Sequence, residues 1–133
     1  MGGDDSVVEL KPYLWISLGA VVGAASRYAV GRWAARAVSN EFPYGTLLIN
    51  LTGSFILGLF LTWTTERVLA DPRWRYIVAI GFCGSYTTFS SYAYETIVYF
   101  EQGHWMLFWT NVALNNGLCL LAVIGGAALA RAL

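Results

Sequence analysis

The feature that most constrains the fold of this chain is a hydroxyl-rich run inside a long apolar segment. The segment extends from about Trp74 to Phe100, and at its centre the chain reads Gly84-Ser85-Tyr86-Thr87-Thr88-Phe89-Ser90-Ser91-Tyr92. Five of these nine residues carry aliphatic hydroxyls and none carries a charge. A segment of this length can cross a bilayer, where polar groups and loosened backbone are tolerated only if protein or water surrounds them. We therefore expect the rest of the chain to surround this run.

Composition indicates a membrane protein. Of the 133 residues, 57% are hydrophobic and 12% are charged, whereas a soluble domain carries about 25% charged residues. Four apolar segments are long enough to span a bilayer. They run from about Tyr13 to Val38, from Gly45 to Val68, from Trp74 to Phe100 and from Trp105 to Ala130. We predict an all-α membrane protein with a polar N-terminal tail (residues 1–12) and a single four-helix transmembrane domain (residues 13–133). Pro72 is the expected start of the third helix.

The few charged residues indicate which partners to expect and how the chain is oriented in the membrane. The formal net charge is zero, which gives no reason to expect a nucleic-acid partner. Basic residues concentrate in cytoplasmic loops. On the predicted side of both termini lie Lys11, Arg67, Arg73, Arg75 and Arg131, and on the opposite side lie Arg32 and Arg36. The distribution of basic residues therefore modestly favours an orientation with both termini in the cytoplasm.

Polar residues within the predicted spans each allow two interpretations. Arg27 either snorkels to anchor the first helix or supplies a positive field that draws anions to a vestibule. Asn50 either holds helices together or offers two N–H donors to an anion. Glu95 is either a proton or ion site or a satisfied polar contact. Asn111 and Asn115 share one face of the fourth helix, which indicates either interhelical hydrogen bonds or the wall of a water-filled path.

The hydroxyl run predicts a break in the third helix. Serine and threonine side chains compete with backbone hydrogen bonds, and Gly84 weakens the helix. Carbonyls freed by a break attract a cation, whereas hydroxyls and the edges of aromatic rings attract an anion. The anion-attracting side chains are Thr88, Phe89, Ser90, Ser91 and Tyr92. The sequence has one histidine, in a predicted turn, and no pattern of an activated nucleophile or metal cluster, so we predict an anion pathway and not an enzyme.

Small residues predict close helix packing. Gly19 and Gly23 form a Gly-xxx-Gly pair, and Gly53 and Gly58 allow close approach on the second helix. Four helices are too few to enclose both a broken helix and a pore. We therefore expect a homo-oligomer to cover the loosened backbone, and a dimer with the break near its twofold axis is the simplest closed form.

Two motifs and one arginine together resemble a known family. The segment Gly81-Phe82-Cys83-Gly84-Ser85-Tyr86-Thr87-Thr88-Phe89-Ser90-Ser91-Tyr92, followed by Glu95, resembles the third-helix signature of the Fluc/CrcB fluoride channels. Gly45-Thr46-Leu47-Leu48-Ile49-Asn50-Leu51 resembles their second-helix signature, and Arg27 stands where that family has its first-helix arginine. The resemblance extends over nearly the whole chain in length, helix count and motif order.

The resemblance implies a dual-topology homodimer of antiparallel four-helix subunits, with two fluoride pores and a structural Na⁺ at the dimer centre. It implies that backbone carbonyls of Gly84 and Thr87 from both subunits hold the Na⁺. The implied pore residues are Asn50, Thr88, Phe89, Ser90, Ser91, Tyr92, Asn111 and Asn115, with Arg27 at the vestibule and Glu95 as a candidate polar contact. This chain departs from the family pattern in having Tyr92 in place of a phenylalanine and Gly84-Ser85-Tyr86 in place of Gly-Gly-Leu.

These features lead to the hypothesis of a passive, highly selective channel in the cell's plasma (inner) membrane that exports cytoplasmic fluoride. Its partners would be fluoride, a second copy of the chain and membrane lipid. One alternative is a proton-coupled exporter of the small-multidrug type, which needs a buried carboxylate in the first helix, where this chain has Arg27. The other is a non-transporting membrane assembly subunit, in which the polar residues only hold helices together.

Overall fold

The structure is a computed structural model that describes residues 9–66 and 70–133, which form five helices. These are α1 (Leu10–Ala37), α2 (Tyr44–Glu66), α3 (residues 72–86), α4 (Phe89–Glu101) and α5 (Trp105–Ala132). Strands are absent from these two ranges, so the described chain is all-helical, as predicted. Most of the predicted N-terminal tail, the expected end of the second segment at Val68 and the charge of Arg67 lie outside the described residues.

Three helices in this part of the chain, α1, α2 and α5, are long and apolar enough to cross a membrane. Helix α1 begins at Leu10, three residues before the predicted segment. Pro12 permits this earlier start because it lies in the first turn, where its missing N–H interrupts no helical bond. The division into a tail and a single domain stays a prediction.

The distribution of polarity is the reverse of that in a soluble protein. Leu14, Leu18 and Val21 on α1 are each more than half exposed, whereas Asn111 and Asn115 on α5 are buried. Exposed aliphatic side chains suit a lipid environment, and polar side chains in a membrane protein face the interior. The polar interior is therefore the part of the molecule in which to look for a site.

Helix α3 changes its hydrogen-bonding pattern along its length. It begins at Pro72, as predicted, and the Asp71 side chain caps it by accepting a hydrogen bond from the Arg73 backbone N–H at 2.9 Å. Hydrogen bonds from Arg73 lower the pKa of the Asp71 carboxyl to about 2, so this cap stays charged. After the α-helical turn Pro72–Trp74 comes a π-helical stretch (Arg75–Cys83), which the sequence did not indicate, and then the α-helical turn Gly84–Tyr86.

Glycines bring α3 against α1. Gly19 and Gly23 are buried, and a Cβ atom added at Gly19 would overlap the backbone carbonyl of Ile77. From the α3 side, a Cβ atom at Gly81 would lie 2.5 Å from the carbonyl oxygen of Ile16. The predicted role of Gly19 and Gly23 in close helix approach is confirmed.

The second close interface joins α2 to α5, which contact each other along much of their length. A Cβ atom at Gly58 would overlap the carbonyl of Val123. A Cβ atom at Gly126 would overlap the carbonyl of Phe55 and lie 2.7 Å from the backbone nitrogen of Leu59. Backbone therefore meets backbone on both sides of this interface.

Contacts near the helix ends show how the helices alternate in direction. Arg131, at the end of α5, forms a 2.8 Å ion pair with Glu66, at the end of α2. Near the starts of α3 and α1, the Arg73 guanidinium lies 5.7 Å from the centre of the Trp15 ring. At the opposite end of the molecule, the Tyr99 hydroxyl on α4 donates to the Glu41 carbonyl, between α1 and α2, at 2.8 Å. Helices α1, α2 and α5 therefore run antiparallel to their sequence neighbours.

Adjacent glycines on α5 provide a matched test of this packing. We expect Gly126→Ala to destabilise the protein by about 1–3 kcal/mol because the new methyl group has no room against α2. Gly125→Ala should be neutral or slightly stabilising, since a Cβ atom there would meet only the Phe55 ring, at 4.0 Å. The thermal unfolding midpoints of the two variants in detergent, measured by size-exclusion chromatography after heating, check this difference. Equal midpoints would contradict the close α2–α5 interface.

Candidate functional site

The backbone is extended for two residues between α3 and α4. Thr87 has ψ 156°, and Thr88 has φ −147° and ψ 103°. The Thr88 hydroxyl then caps α4 by accepting a hydrogen bond from the Ser91 backbone N–H at 3.2 Å. Gly84, where the sequence placed the weak point, is itself helical. The interruption between α3 and α4, formed by the extended pair Thr87 and Thr88, therefore begins three residues later.

Asn50 on α2 satisfies the backbone at this interruption. Its Oδ1 accepts from the Thr88 backbone N–H at 2.7 Å, and its Nδ2 donates to the Thr88 carbonyl at 3.1 Å. The amide thus takes the place of a backbone partner. Gly53, one turn further along α2, makes room for the interruption, because a Cβ atom there would overlap Thr87 and lie 3.0 Å from the Tyr86 ring.

A row of hydrogen bonds continues from Asn50 into α5 and α4. Asn50 Nδ2 donates to Asn115 Oδ1 at 3.1 Å, and Asn115 Nδ2 donates to Asn111 Oδ1 at 2.8 Å. Asn111 Nδ2 donates to the Thr96 hydroxyl at 2.9 Å, and Thr96 donates to the Tyr92 carbonyl at 2.7 Å. Both N–H groups of Asn50 are therefore used within the protein, which is the interhelical role considered for this residue. Its donation to an anion stays a prediction.

Two cavities flank this row, and between them they receive most of the predicted site residues. The larger, of about 650 Å³, is bordered by α1, α2 and α4, and the smaller, of about 320 Å³, by α2, α4 and α5. The predicted residues lining the larger cavity are Arg27, Thr88, Ser90, Ser91 and Glu95. Those lining the smaller cavity are Asn50, Thr87, Phe89, Tyr92 and Asn115. Asn111 has 0% exposure and lines neither cavity, because Asn115 and Thr96 cover it.

The larger cavity combines charge with hydroxyl groups. Arg27 and Glu95 both line it, and the Thr46 hydroxyl donates to Glu95 Oε1 at 2.6 Å. Glu95 Oε2 is buried and has no hydrogen-bond partner within residues 9–66 and 70–133. Thr88 donates its hydroxyl proton to Ser91 Oγ at 2.9 Å, so Arg27 and the hydroxyls of Ser90 and Ser91 are the groups that offer an anion charge and donors.

The smaller cavity is partly aromatic. The rings of Phe89 and Tyr92 meet edge to face, with centroids 5.4 Å apart and planes at 66°. Tyr92 is buried, and its hydroxyl accepts a hydrogen bond from Asn116 Nδ2 at 3.0 Å. Phe89 is 74% exposed in the single chain. The edge of an aromatic ring carries partial positive charge, and both rings line this cavity.

The interruption leaves the backbone carbonyls of Gly84 and Thr87, among others, without their helical partners. In a continuous helix the N–H of Thr88 would bond to the Gly84 carbonyl and that of Ser91 to the Thr87 carbonyl. Here the first N–H goes to Asn50 and the second to the Thr88 hydroxyl. Carbonyl oxygens are ligands for hard cations, and the space beside the Gly84 α-carbon is open. These two carbonyls therefore fit the predicted Na⁺ site in donor type.

The sequence did not predict four polar side chains as hydrogen-bonding partners in this region: Thr46, Tyr86, Thr96 and Asn116. Thr46 bonds Glu95, Thr96 bonds Asn111, and Asn116 bonds Tyr92. The Tyr86 hydroxyl lies 2.9 Å from the Thr52 hydroxyl. Each is a polar residue in an apolar helix, and this polarity was the only indication in the sequence. Which side chain bonds to which depends on how the helices lie next to one another, and the sequence alone does not give this.

An all-helical chain with apolar outer surfaces, a polar interior row and two flanking cavities has the architecture of a membrane transport protein. The sequence profile described as "CrcB-like protein, Camphor Resistance (CrcB)" matches residues 14–127, and the chain belongs to this family. It is a multi-pass protein of the plasma membrane.

Three relatives illustrate the similarity, and each is named fluoride-specific ion channel FluC. The relative from Koribacter versatilis (strain Ellin345) is 61% identical over 124 residues, which cover 93% of this chain and 98% of the relative. That from Sulfurihydrogenibium sp. (strain YO3AOP1) is 44% identical over 124 residues, covering 93% and 100%. That from Legionella pneumophila subsp. pneumophila (strain Philadelphia 1) is 43% identical over 122 residues, covering 92% and 91%.

Removing the Asn50 amide tests its structural role. Asn50→Leu leaves the Thr88 N–H and carbonyl without partners, and each unsatisfied buried group costs about 1–3 kcal/mol. We expect a clear loss of thermal stability in detergent. Thr64→Val is the control, because among the described residues the Thr64 hydroxyl bonds only carbonyls of its own helix. An Asn50→Leu protein as stable as the control would show that the amide does not hold the interruption.

Proposed function

We propose that this protein is a passive, highly selective fluoride channel that lets cytoplasmic fluoride leave the cell. The observation that carries the proposal is the interruption at Thr87 and Thr88, held by Asn50 between one cavity lined by an arginine and hydroxyls and another lined by amides and aromatic rings. The relatives' shared name, fluoride-specific ion channel, supports fluoride as the ion. The chain is a channel protein and not an enzyme.

The larger cavity is the proposed vestibule. The charge of Arg27 raises the local concentration of anions at its mouth, and the hydroxyls of Ser90 and Ser91, beside that of Thr88, replace part of the water around an entering ion. The Glu95 carboxylate lies in the same cavity, where Thr46 holds one of its oxygens. An ion moving inward from this cavity meets the interruption, where hydroxyl groups are densest.

The smaller cavity is the proposed narrow part of the path. Phe89 and Tyr92 present ring edges, while Asn115 and Asn50 keep the wall polar. Fluoride is small and strongly hydrated, so its passage requires donors that come close as water leaves. Small hydroxyls and ring edges satisfy that requirement better for fluoride than for the larger chloride ion, which is the proposed origin of selectivity.

We further propose that α3 and α4 together form the third of four membrane crossings, broken at the interruption. Two such chains would form an antiparallel, dual-topology homodimer with two pores. The exposure of Phe89 and of Gly84 in the single chain supports a covering partner at this level of the membrane, since loosened backbone needs protein around it. A twofold dimer closes this surface with one type of contact.

The carbonyls of Gly84 and Thr87, contributed by both subunits, would hold a structural Na⁺ at the dimer centre. When bound, the ion adds a fixed positive charge near the anion path. The chain's own contribution is to keep these carbonyls free, because Asn50 and the Thr88 hydroxyl take the N–H groups that would otherwise bond to them.

Fluoride efflux from liposomes containing the purified chain tests the proposed function. We expect rapid efflux with the natural chain and a loss of at least tenfold with Phe89→Ile, because the substitution removes a ring edge from the narrow path. Phe100→Ile, outside both cavities, should retain efflux. Natural-chain efflux no faster than from protein-free liposomes would overturn the proposal, and unchanged flux in Phe89→Ile would remove Phe89 from the path.

Labelling of an introduced cysteine from outside the cell tests dual topology separately. Gln102→Cys places a thiol in the exposed connection between α4 and α5, in a Cys119→Ser background where Cys83 is buried. We expect a membrane-impermeant thiol reagent to label about half of the Gln102→Cys molecules. We expect it to label about half of the Lys11→Cys molecules as well, in which the thiol lies at the other end of the helices. Complete labelling at one position and none at the other would show a fixed orientation.

A further inference from the structure

The Tyr92 hydroxyl is hydrogen-bonded to Asn116, and a second contact of Asn116 shows which of the two groups is the donor. Asn116 Nδ2 lies 3.0 Å from the Tyr92 hydroxyl and 2.8 Å from the Val112 carbonyl oxygen. A carbonyl oxygen only accepts hydrogen bonds, so the amide atom beside it must be the NH₂ group. The same group therefore donates to Tyr92, and the Tyr92 oxygen is the acceptor.

This assignment leaves the phenol proton available. A phenol can accept and donate at the same time, and the Asn116 nitrogen cannot accept the proton. Within residues 9–66 and 70–133, Tyr92 makes no second hydrogen bond through its hydroxyl. Tyr92 and Asn116 both line the 320 Å³ cavity, so the free donor lies at the wall of the proposed narrow path.

We propose that the Tyr92 hydroxyl is a fluoride-binding donor in the smaller cavity, and that Asn116 is its positioning residue. This inference rests on the proposed fluoride conduction and adds a subsite that a phenylalanine at this position cannot form. Accepting a hydrogen bond from Asn116 polarises the phenol O–H and strengthens it as a donor. Donation to an anion is charge-assisted and therefore stronger than donation to water.

The first test compares two tyrosines on α4. Tyr92→Phe removes only the hydroxyl, and we expect the fluoride concentration for half-maximal liposome efflux to rise about tenfold, which corresponds to about 1.4 kcal/mol. Tyr94→Phe is the matched control, because Tyr94 is exposed and lines neither cavity. An unchanged half-maximal concentration in Tyr92→Phe, with the natural chain conducting, would overturn the subsite and leave the channel intact.

A double-mutant cycle separates positioning from a direct contact between Asn116 and the ion. We expect Asn116→Leu to raise the half-maximal concentration several-fold in the natural background and to change it by less than twofold in the Tyr92→Phe background. An equal increase in both backgrounds would mean that Asn116 acts independently of Tyr92 and would overturn its positioning role.

A spectroscopic measurement detects the hydrogen bond without requiring flux. Donation from a phenol to an anion shifts tyrosine absorbance to longer wavelength, so fluoride should produce a red-shifted difference spectrum in the natural chain and in Tyr94→Phe, but not in Tyr92→Phe. The same difference spectrum in all three proteins would overturn the proposal. Failure of the natural chain to conduct would count against the proposed function, which the efflux assay reports separately.

Discussion

The hydrogen bonds between the Asn50 side chain and the Thr88 backbone are the interaction on which the rest of the site depends. Polar backbone at membrane depth is costly unless something pairs with it, and one amide supplies both an acceptor and a donor at 2.7 and 3.1 Å. Because Asn50 takes the Thr88 N–H, the Gly84 carbonyl is released. The ending of α3 and the freeing of a carbonyl therefore have one cause.

The same interaction explains how a helix end can lie in the interior of a membrane protein. The Thr88 hydroxyl caps the first turn of α4, and the Thr87 hydroxyl donates back to the Cys83 carbonyl at 2.9 Å. Each threonine hydroxyl thus bonds one backbone group at a helix end, while Asn50 bonds the backbone of Thr88. Glycine at position 53 is needed for a different reason, since any larger side chain would push α2 away from the threonine pair.

The sequence predicted the membrane class, the approximate bounds of α1, α2 and α5, and the use of Gly19 and Gly23 for close helix packing, because these depend on local composition and spacing. It located the interruption within the hydroxyl run but not at Thr87 and Thr88, since the released N–H is selected by Asn50, 38 residues away in the chain. The partners of Glu95 and Tyr92 were missed for the same reason. The Na⁺ and the dimer stay predictions, because both depend on a second chain.

The row from Asn50 to Thr96 has a direction. Each amide nitrogen donates toward the next residue and each amide oxygen accepts from the previous one, so the dipoles add along the row. No single amide can reverse without breaking the bonds of its neighbours. The wall behind the smaller cavity therefore keeps one electrical polarity whether or not an ion is present, and little energy is needed to reorient it as an ion passes.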